Sequence, residues 1–152
     1  MKSKIFNVYG QKLENLPLFF LLRKLNVISF TKTISMNPIL KNILITVCGA
    51  FVGASVNMAI VMLGVSVVPL MSPIHFLFPL LAHAGGTFVA AALIARFAAS
   101  RHLQLAMIVS ALFFVGGLQM IMELPSPLWF NAPDLVLAYF PMGWLGFKMG
   151  KK

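Results

Sequence analysis

Two stretches of the chain carry no charged residue over a length sufficient to cross a lipid bilayer. One covers residues 43–70 and the other covers residues 103–122. A helix of about 20 apolar residues is long enough to cross the hydrocarbon core of a bilayer, which is roughly 30 Å thick. We therefore expect both stretches to form transmembrane helices.

The composition of the whole chain points to the same class of protein. Of its 152 residues, 60% are apolar and 10% are charged, whereas soluble domains average roughly 45–50% and about 25%. A soluble domain of this size keeps about a third of its unfolded surface in water, so it cannot bury this many apolar side chains. A disordered chain needs low hydrophobicity and high charge. The composition excludes both classes and indicates an integral membrane protein surrounded by a lipid bilayer.

Four spans are predicted from the distribution of apolar residues, at about residues 43–66, 77–96, 103–123 and 132–148. The fourth is the least apolar, since it contains Asp134 and Pro141, and we expect the proline to kink it. The predicted fold class is therefore all-α, an integral membrane four-helix bundle within a domain of residues 37–150.

The basic residues predict the orientation of these spans. The net charge is +9, and all twelve lysines and arginines precede span one, separate spans two and three, or follow span four. By the positive-inside rule, both termini are then cytoplasmic. The basic residues are not interleaved with aromatic residues on a polar face, so nucleic acid is not expected as a partner.

Residues 1–36 form a basic leader that differs from the rest of the chain. Its apolar stretch, residues 16–22, is too short to span a bilayer and is followed by Arg23 and Lys24. One interpretation is an interfacial helix on anionic lipid, and another is a native start at Met36. In either case we expect this leader to be poorly ordered or not part of the native chain.

Small residues are predicted to bring the helices together. Spans in lipid associate through close backbone approach, which glycine permits. The candidate packing positions are Gly49 and Gly53 in span one, Gly86 in span two, and Gly116 and Gly117 in span three. The pattern does not separate packing within one subunit from packing in a homo-oligomer or against a membrane partner protein.

Polar residues at membrane depth form the candidate functional site. Ionisable groups at this depth are costly and tend to face a bundle interior or a water-filled cavity. His83 needs a hydrogen-bond partner most, and the candidates for that partner are Glu123, Asp134 and Asn57. The predicted topology places the whole set in the outer half or at the outer boundary of the bilayer: Asn57, His83, Thr87, Gln119, Glu123 and Asp134.

Several of these residues also have a purely structural interpretation. Asn131 could cap the fourth helix, with Pro133 at its first position and Asp134 beside the positive end of the helix dipole. Glu123 could simply reach the aqueous interface from the end of span three. A structural hydrogen bond remains an alternative to a functional role for His83.

The chain shows no pattern that predicts a metal, a cofactor or a catalytic residue. His75, His83, Glu123 and Asp134 have the chemistry of zinc or iron ligands, but they lack paired ligand spacing. Nucleophile-elbow, phosphate-loop and dinucleotide motifs are absent from the sequence. Whether the protein is an enzyme is left open by the sequence, with a non-enzymatic role favoured.

A series of short motifs resembles a family of small bacterial inner-membrane proteins with four spans and no assigned activity. The motifs are Asn57 in span one, HFLFP at 75–79, LAHAGGT at 81–87, Gly116 with Gly117, LPSPLWF at 124–130 and DLVLAYFPM at 134–142. The resemblance covers about residues 36–150. It implies a location in the inner membrane but no catalytic assignment, and the loop after span one is shorter here than in that family.

Three functional hypotheses follow, the last of which is a membrane enzyme with an outward-facing metal or acid–base site. The first is a non-enzymatic interaction or structural subunit held by its small-residue faces. The second is a small proton-coupled transporter that uses His83 with Glu123 or Asp134, because burial of a carboxylate favours its protonation. Against the second hypothesis, transporter sites usually lie near the midplane of the bilayer, whereas the predicted cluster lies towards the outer face. No strong internal repeat is visible, and span one lacks the mid-span carboxylate expected of a four-span multidrug carrier.

Overall fold

The computed structural model describes residues 36–69, 72–123 and 126–151. The chain divides into two compact units, Met1–Met36 and Asn37–Lys152, and the predicted leader lies outside the described residues except for Met36. The elements of the second unit are α1 (Pro38–Val67), a 3₁₀ helix (Pro73–Phe76), α2 (Leu77–Phe97), α3 (His102–Glu123), α4 (Leu128–Leu137) and α5 (Phe140–Gly150). Every regular element among the described residues is helical, so the all-α prediction is confirmed.

Three helices are long and apolar enough to cross a membrane: Pro38–Val67, Pro73–Phe97 and His102–Glu123. The first begins five residues before its predicted start, because the Asn37 side chain accepts a hydrogen bond from the Ile39 backbone N–H at 3.0 Å and caps it. The second begins at Pro73, before its predicted start at residue 77, because the 3₁₀ helix Pro73–Phe76 runs directly into α2. These three helices agree with the predicted membrane class.

The fourth predicted span is two helices. α4 has 10 residues and α5 has 11, and the chain turns between them at Ala138 and Tyr139. Pro141 lies in the first turn of α5, where its missing N–H and its ring prevent a continuous helix through this point. The predicted kink is therefore confirmed as a complete break. Neither half is long enough to cross a bilayer alone. The fourth predicted span is therefore not one continuous helix.

Helix α1 packs antiparallel against α2 through glycines. Gly49 lies against Ile94, while Gly64 lies against Phe78 at the other end of α2. Between them, a Cβ on Gly53 would stand 2.5 Å from the Gly86 carbonyl oxygen, and one on Gly86 would stand 2.7 Å from the Gly53 carbonyl oxygen. The two backbones approach as closely as glycine allows, which is the predicted role of these positions.

The α4–α5 pair runs beside α2 along most of its length. At one end, the Phe76 ring contacts the rings of Trp129 and Phe130, with centroids 5.7 and 5.3 Å apart. At the other end, Gly146 packs on the Phe88 carbonyl and Gly150 packs on Ala92. The broken segment therefore covers nearly the same height as α2.

Gly116 does not have the packing role predicted for it. Nothing among the described residues lies within 4 Å of the position where its Cβ would be. The neighbouring glycine, Gly117, is buried against Tyr139. The adjacent glycines therefore have different surroundings, since only one of them faces the interior of the bundle.

The described basic residues gather at one end of the helices. The Asn42 side chain near the start of α1 accepts hydrogen bonds from the backbone N–H groups of Ala99 and Ser100, at 2.8 and 3.3 Å. These contacts join the start of α1 to the connection between α2 and α3. Lysines and arginines at this end are Lys41, Arg96, Arg101, Lys148 and Lys151.

The paired glycines allow a matched test of the helix packing. We expect Gly53→Ala to lower the free energy of unfolding by about 1–3 kcal/mol, since the new methyl group meets the Gly86 carbonyl and has nowhere to move. Gly116→Ala adds the same methyl group where the structure is open, so its stability should match or slightly exceed that of wild type. Unfolding in detergent, followed by tryptophan fluorescence, measures both. Equal losses from the two variants would contradict this account of the α1–α2 contact.

Candidate functional site

A histidine and an aspartate meet in the interior of the bundle. His83 on α2 and Asp134 on α4 are 51 residues apart in the sequence. The His83 Nδ1 atom lies 2.8 Å from Asp134 Oδ1 and 2.9 Å from Asp134 Oδ2. An ionised carboxylate only accepts hydrogen bonds, so Nδ1 carries the proton in this contact. Of the three partners proposed for His83, the structure has Asp134.

Asp134 is enclosed on all sides. Its side chain has 0% exposure, against 15% for the His83 side chain. The Tyr139 hydroxyl also donates to Asp134, with 3.2 Å between the phenol oxygen and Oδ2. Lys and Arg side chains make no salt bridge to Asp134 in the part of the chain that the structure describes. The carboxylate is thus held by one imidazole and one phenol.

Tyr139 was missed as a site residue by the sequence analysis. Its ring stacks on the His83 ring, with centroids 5.7 Å apart and planes inclined by 29°, and it meets Phe114 edge-on. Gly117 leaves the space that the hydroxyl occupies. A signal was present in the sequence, because a tyrosine hydroxyl in the middle of an apolar segment needs a polar partner.

Thr87 lies one turn beyond His83 and is fully buried. Its hydroxyl donates to the His83 backbone carbonyl at 2.7 Å. A threonine in this arrangement satisfies its own hydroxyl within the helix. Thr87 therefore borders the site, but its hydroxyl donates to the helix backbone and not to the side chains of His83 or Asp134.

His83 and Tyr139 lie near the middle of their segments. Within the apolar helix Pro73–Phe97, His83 stands two residues before the central residue, which is about 3 Å along the axis and towards the predicted outer end. Tyr139 has eleven residues on either side of it in the segment from Leu128 to Gly150. The predicted depth of the site, in the outer half of the bilayer, stays a prediction.

A cavity of about 440 Å³ adjoins the pair between α1 and α3. His83, Tyr139 and Asn57 supply the polar surface of its wall together with Thr87. The rest of the lining is apolar or glycine: Ala54, Met58, Val61, Leu112, Phe113, Gly116, Gly117 and Met120. The predicted neighbour Asn57 therefore shares a cavity with His83 without being its hydrogen-bond partner.

The second ring nitrogen of His83 has no hydrogen-bond partner among the described residues, and the imidazole lines this cavity. Nδ1 is occupied by Asp134, whereas Nε2, at the opposite side of the ring, has no hydrogen bond within residues 36–69, 72–123 and 126–151. A histidine held in this way by a carboxylate has a fixed tautomer and a fixed ring orientation. Its free nitrogen can accept a proton or coordinate a ligand.

Gln119 and Glu123 are not brought to this site. The Gln119 Nε2 donates to Glu123 Oε1 at 2.9 Å, and both side chains are exposed on the last turns of α3. The structural interpretation of Glu123, as a residue reaching the interface from the helix end, matches this placement. Of the six predicted residues, three line the cavity, Asp134 is buried against His83, and Gln119 and Glu123 form a separate exposed pair.

The predicted cap at Asn131 is wrong. α4 begins at Leu128, so Asn131 and Pro133 lie inside the helix. The Asn131 side chain instead exchanges hydrogen bonds with Ser126, accepting from its hydroxyl at 2.6 Å and donating to its carbonyl at 3.2 Å. Because the helix starts earlier, Asp134 is one turn deeper than a capping position and faces His83.

Metal binding finds no support in the geometry. Among the described residues, no three His, Cys, Asp or Glu side chains come close enough together to hold an ion. Of the four candidate ligands, His83 and Asp134 form a pair, and Glu123 is hydrogen-bonded to Gln119. The chemistry available at this site is hydrogen bonding and proton exchange.

Comparison with known proteins gives no relative from which a role could be transferred. No family model matches the chain, and no curated protein or solved structure matches it either. The resemblance to small bacterial inner-membrane proteins thus stays a prediction.

The contribution of the buried pair can be measured with two substitutions. Asp134→Asn keeps an oxygen that accepts from His83 Nδ1, while Asp134→Leu leaves that buried donor without a partner. We expect the leucine variant to be the less stable of the two by about 1–3 kcal/mol, the cost of an unsatisfied buried polar group. Denaturation in mixed detergent micelles gives both values. A leucine variant as stable as the asparagine variant would show that the hydrogen bond contributes nothing.

Proposed function

We propose that this chain is a small multi-pass membrane transporter in which His83 and Asp134 couple the movement of a solute to that of a proton. The observation that carries the proposal is the His83 Nδ1–Asp134 contact of 2.8 Å beside a cavity that the same imidazole lines. A packing role needs the hydrogen bond alone. A coupling role also needs a free ring nitrogen and space for a solute, and both are present at this pair.

The break between α4 and α5 supports the same proposal. Discontinuous helices near the middle of the bilayer are a recurring feature of transporter binding sites. Here the turn at Ala138 and Tyr139 adjoins the buried carboxylate, and Tyr139 donates to it. The position of His83 two residues from the centre of its helix also supports a site near the middle of the bilayer.

The orientation that goes with this function has four crossings and cytoplasmic termini in the bacterial inner membrane. The α4–α5 pair covers nearly the height of α2, so the two halves together can cross where neither could alone. The described basic residues lie at the end where α1 starts and α5 finishes, and the cytoplasmic side is the one that carries the excess of Lys and Arg. The bacterial assignment rests on the sequence resemblance.

Coupling follows from the charge of the pair. With one proton on the imidazole, at Nδ1, the pair has a net charge of −1. A second proton on Nε2 brings the net charge to zero. In a low-dielectric interior this difference changes the affinity for a bound solute strongly, so proton binding and solute binding are linked thermodynamically.

Proton flux in proteoliposomes tests this function. With a pH-sensitive dye inside the vesicles, a panel of organic cations, carboxylic acids, amino acids and sugars is added under an imposed pH gradient. We expect at least one class to dissipate the gradient through the wild-type protein, and His83→Ala to reduce the flux to that of empty vesicles, because the proton acceptor at Nε2 is gone.

Glu123→Gln is the matched control for that experiment. It neutralises a carboxylate at the exposed end of α3 and leaves the buried pair intact, so its flux should equal that of wild type. Undiminished flux in a correctly folded His83→Ala protein, or no solute-dependent flux from any class in the panel, would refute the proposed function.

A second candidate function is a non-enzymatic interaction or structural subunit, as a homo-oligomer or with a membrane partner. Its support is the surface of α1, where little is buried beyond the glycines facing α2. Phe51 is 75% exposed and Val47 is 61% exposed. Lipid or another subunit must cover this surface, and an interaction protein would use it for contact.

Disulfide cross-linking through the single cysteine, Cys48, tests whether α1 forms a contact between two copies of the chain. Cys48 is exposed on α1, next to Val47. If α1 forms a homodimer face, mild oxidation of native membranes should give a disulfide-linked dimer on non-reducing gels, provided that the two thiols come close enough. A Cys48→Ser protein should give only the monomer. A monomer from the wild-type chain would argue against a symmetric contact through this part of α1.

A further inference from the structure

The buried site has an excess of negative charge whenever His83 carries a single proton. Asp134 has no Lys or Arg partner among the residues the structure describes. The other titratable group in contact with it, Tyr139, is neutral when it donates its hydroxyl proton. The described walls from α1 and α3 add no ionisable side chain, since their polar member is Asn57. A cation therefore complements this site, and an anion is repelled from it.

The walls of the cavity suit an apolar body attached to that cation. Phe113 and Tyr139 present aromatic rings, and Met58 and Met120 present thioethers. Aromatic rings attract organic cations, and methionine adapts to ligands of irregular shape. The volume of about 440 Å³ lies within the range of sites for drug-sized molecules.

The rim of the cavity lies on the lipid-facing side of the bundle. Met58 on α1 is 56% exposed and Leu112 on α3 is 60% exposed. Gly116, also on the rim, has open space over it. The helices α1 and α3 flank the opening, so a molecule dissolved in the bilayer can enter sideways between them.

We propose that this cavity binds a lipophilic organic cation that enters from the bilayer, and that the cation is exchanged for a proton at His83 Nε2. The proposal rests on the proposed transport function and names its substrate class. It is carried by the anionic His83–Asp134 pair, whose imidazole lines an apolar cleft between α1 and α3 while the carboxylate is buried behind it.

The exchange balances in charge and atoms. The singly protonated pair, with charge −1, and a monovalent cation together are neutral. When a proton from the aqueous phase bonds to Nε2, the pair itself becomes neutral, and the cation leaves with its structure unchanged. No covalent bond is formed or broken other than the N–H bond. The exchange of one monovalent cation for one proton moves no net charge, so the membrane potential does not drive it.

The test uses two ions of the same shape and opposite charge. Tetraphenylphosphonium and tetraphenylborate are added to the full-length protein in detergent, and binding is followed by calorimetry in buffers of different ionisation enthalpy, which reports the protons released. In buffer acidic enough to protonate Nε2 of the free protein, we expect tetraphenylphosphonium to bind with release of that proton. We expect tetraphenylborate to bind more weakly by about tenfold or more, because the buried carboxylate repels it.

Asp134→Asn is the matched variant. It keeps the shape of the side chain and an acceptor for His83 Nδ1 but removes the charge, so the preference for the cation over the anion should disappear. Phe113→Leu keeps the pair and removes an aromatic ring from the wall, so it should weaken cation binding while leaving proton release per bound cation unchanged. Both variants are compared with Glu123→Gln, which should bind like wild type.

The outcomes separate this inference from the function on which it rests. Equal or tighter binding of tetraphenylborate, or a cation preference that survives Asp134→Asn, overturns the cation assignment. If a different solute class drives His83-dependent proton flux while neither ion binds, the transport function stands and the cation assignment falls. If no solute drives such flux, both fall.

Discussion

A carboxylate with no accessible surface, in a protein with few charged residues, is the constraint on which the centre of this structure depends. Lipid offers Asp134 no hydrogen bonds, so the chain itself must supply donors. It supplies the His83 imidazole from α2 and the Tyr139 hydroxyl from the turn after α4. These two contacts tie α4 to α2 and join the turn after α4 to the same buried group.

The turn after α4 and the glycine at position 117 both accommodate the hydrogen bond between Tyr139 and Asp134. Tyr139 reaches Asp134 from five residues away, across a turn that a continuous helix would not make. Its hydroxyl then occupies space that any side chain at Gly117 would fill. Pro141 costs α5 no hydrogen bond, because it lies in a first turn where the N–H has no partner within the helix. The local irregularities of the chain are therefore connected through one buried group.

The predictable part of this fold was the part governed by hydropathy and steric size. Long uncharged segments located three membrane-length helices, and Gly53 and Gly86 identified a close contact between the backbones of α1 and α2 that only glycine permits. The sequence did not decide where α4 starts, because Asn131 and Pro133 have good capping chemistry although the helix begins at Leu128. The Asn131 side chain bonds Ser126 before the helix instead. Choosing Asp134 over Glu123 as the partner of His83 likewise needed the helix start, because one turn decides which carboxylate faces the bundle.

The presence of a histidine as the partner of Asp134 distinguishes a proton-exchange role from a packing role. If Asp134 served only to hold helices together, a lysine or arginine opposite it would neutralise it permanently, and an asparagine in its place would avoid the buried charge. Histidine satisfies the carboxylate through one nitrogen and leaves the other free, and it is the side-chain type that gains and loses a proton near neutral pH. The imidazole also lines a cavity whose remaining walls are mostly apolar. A packing role does not need that space, whereas the proposed exchange of a proton for a solute does.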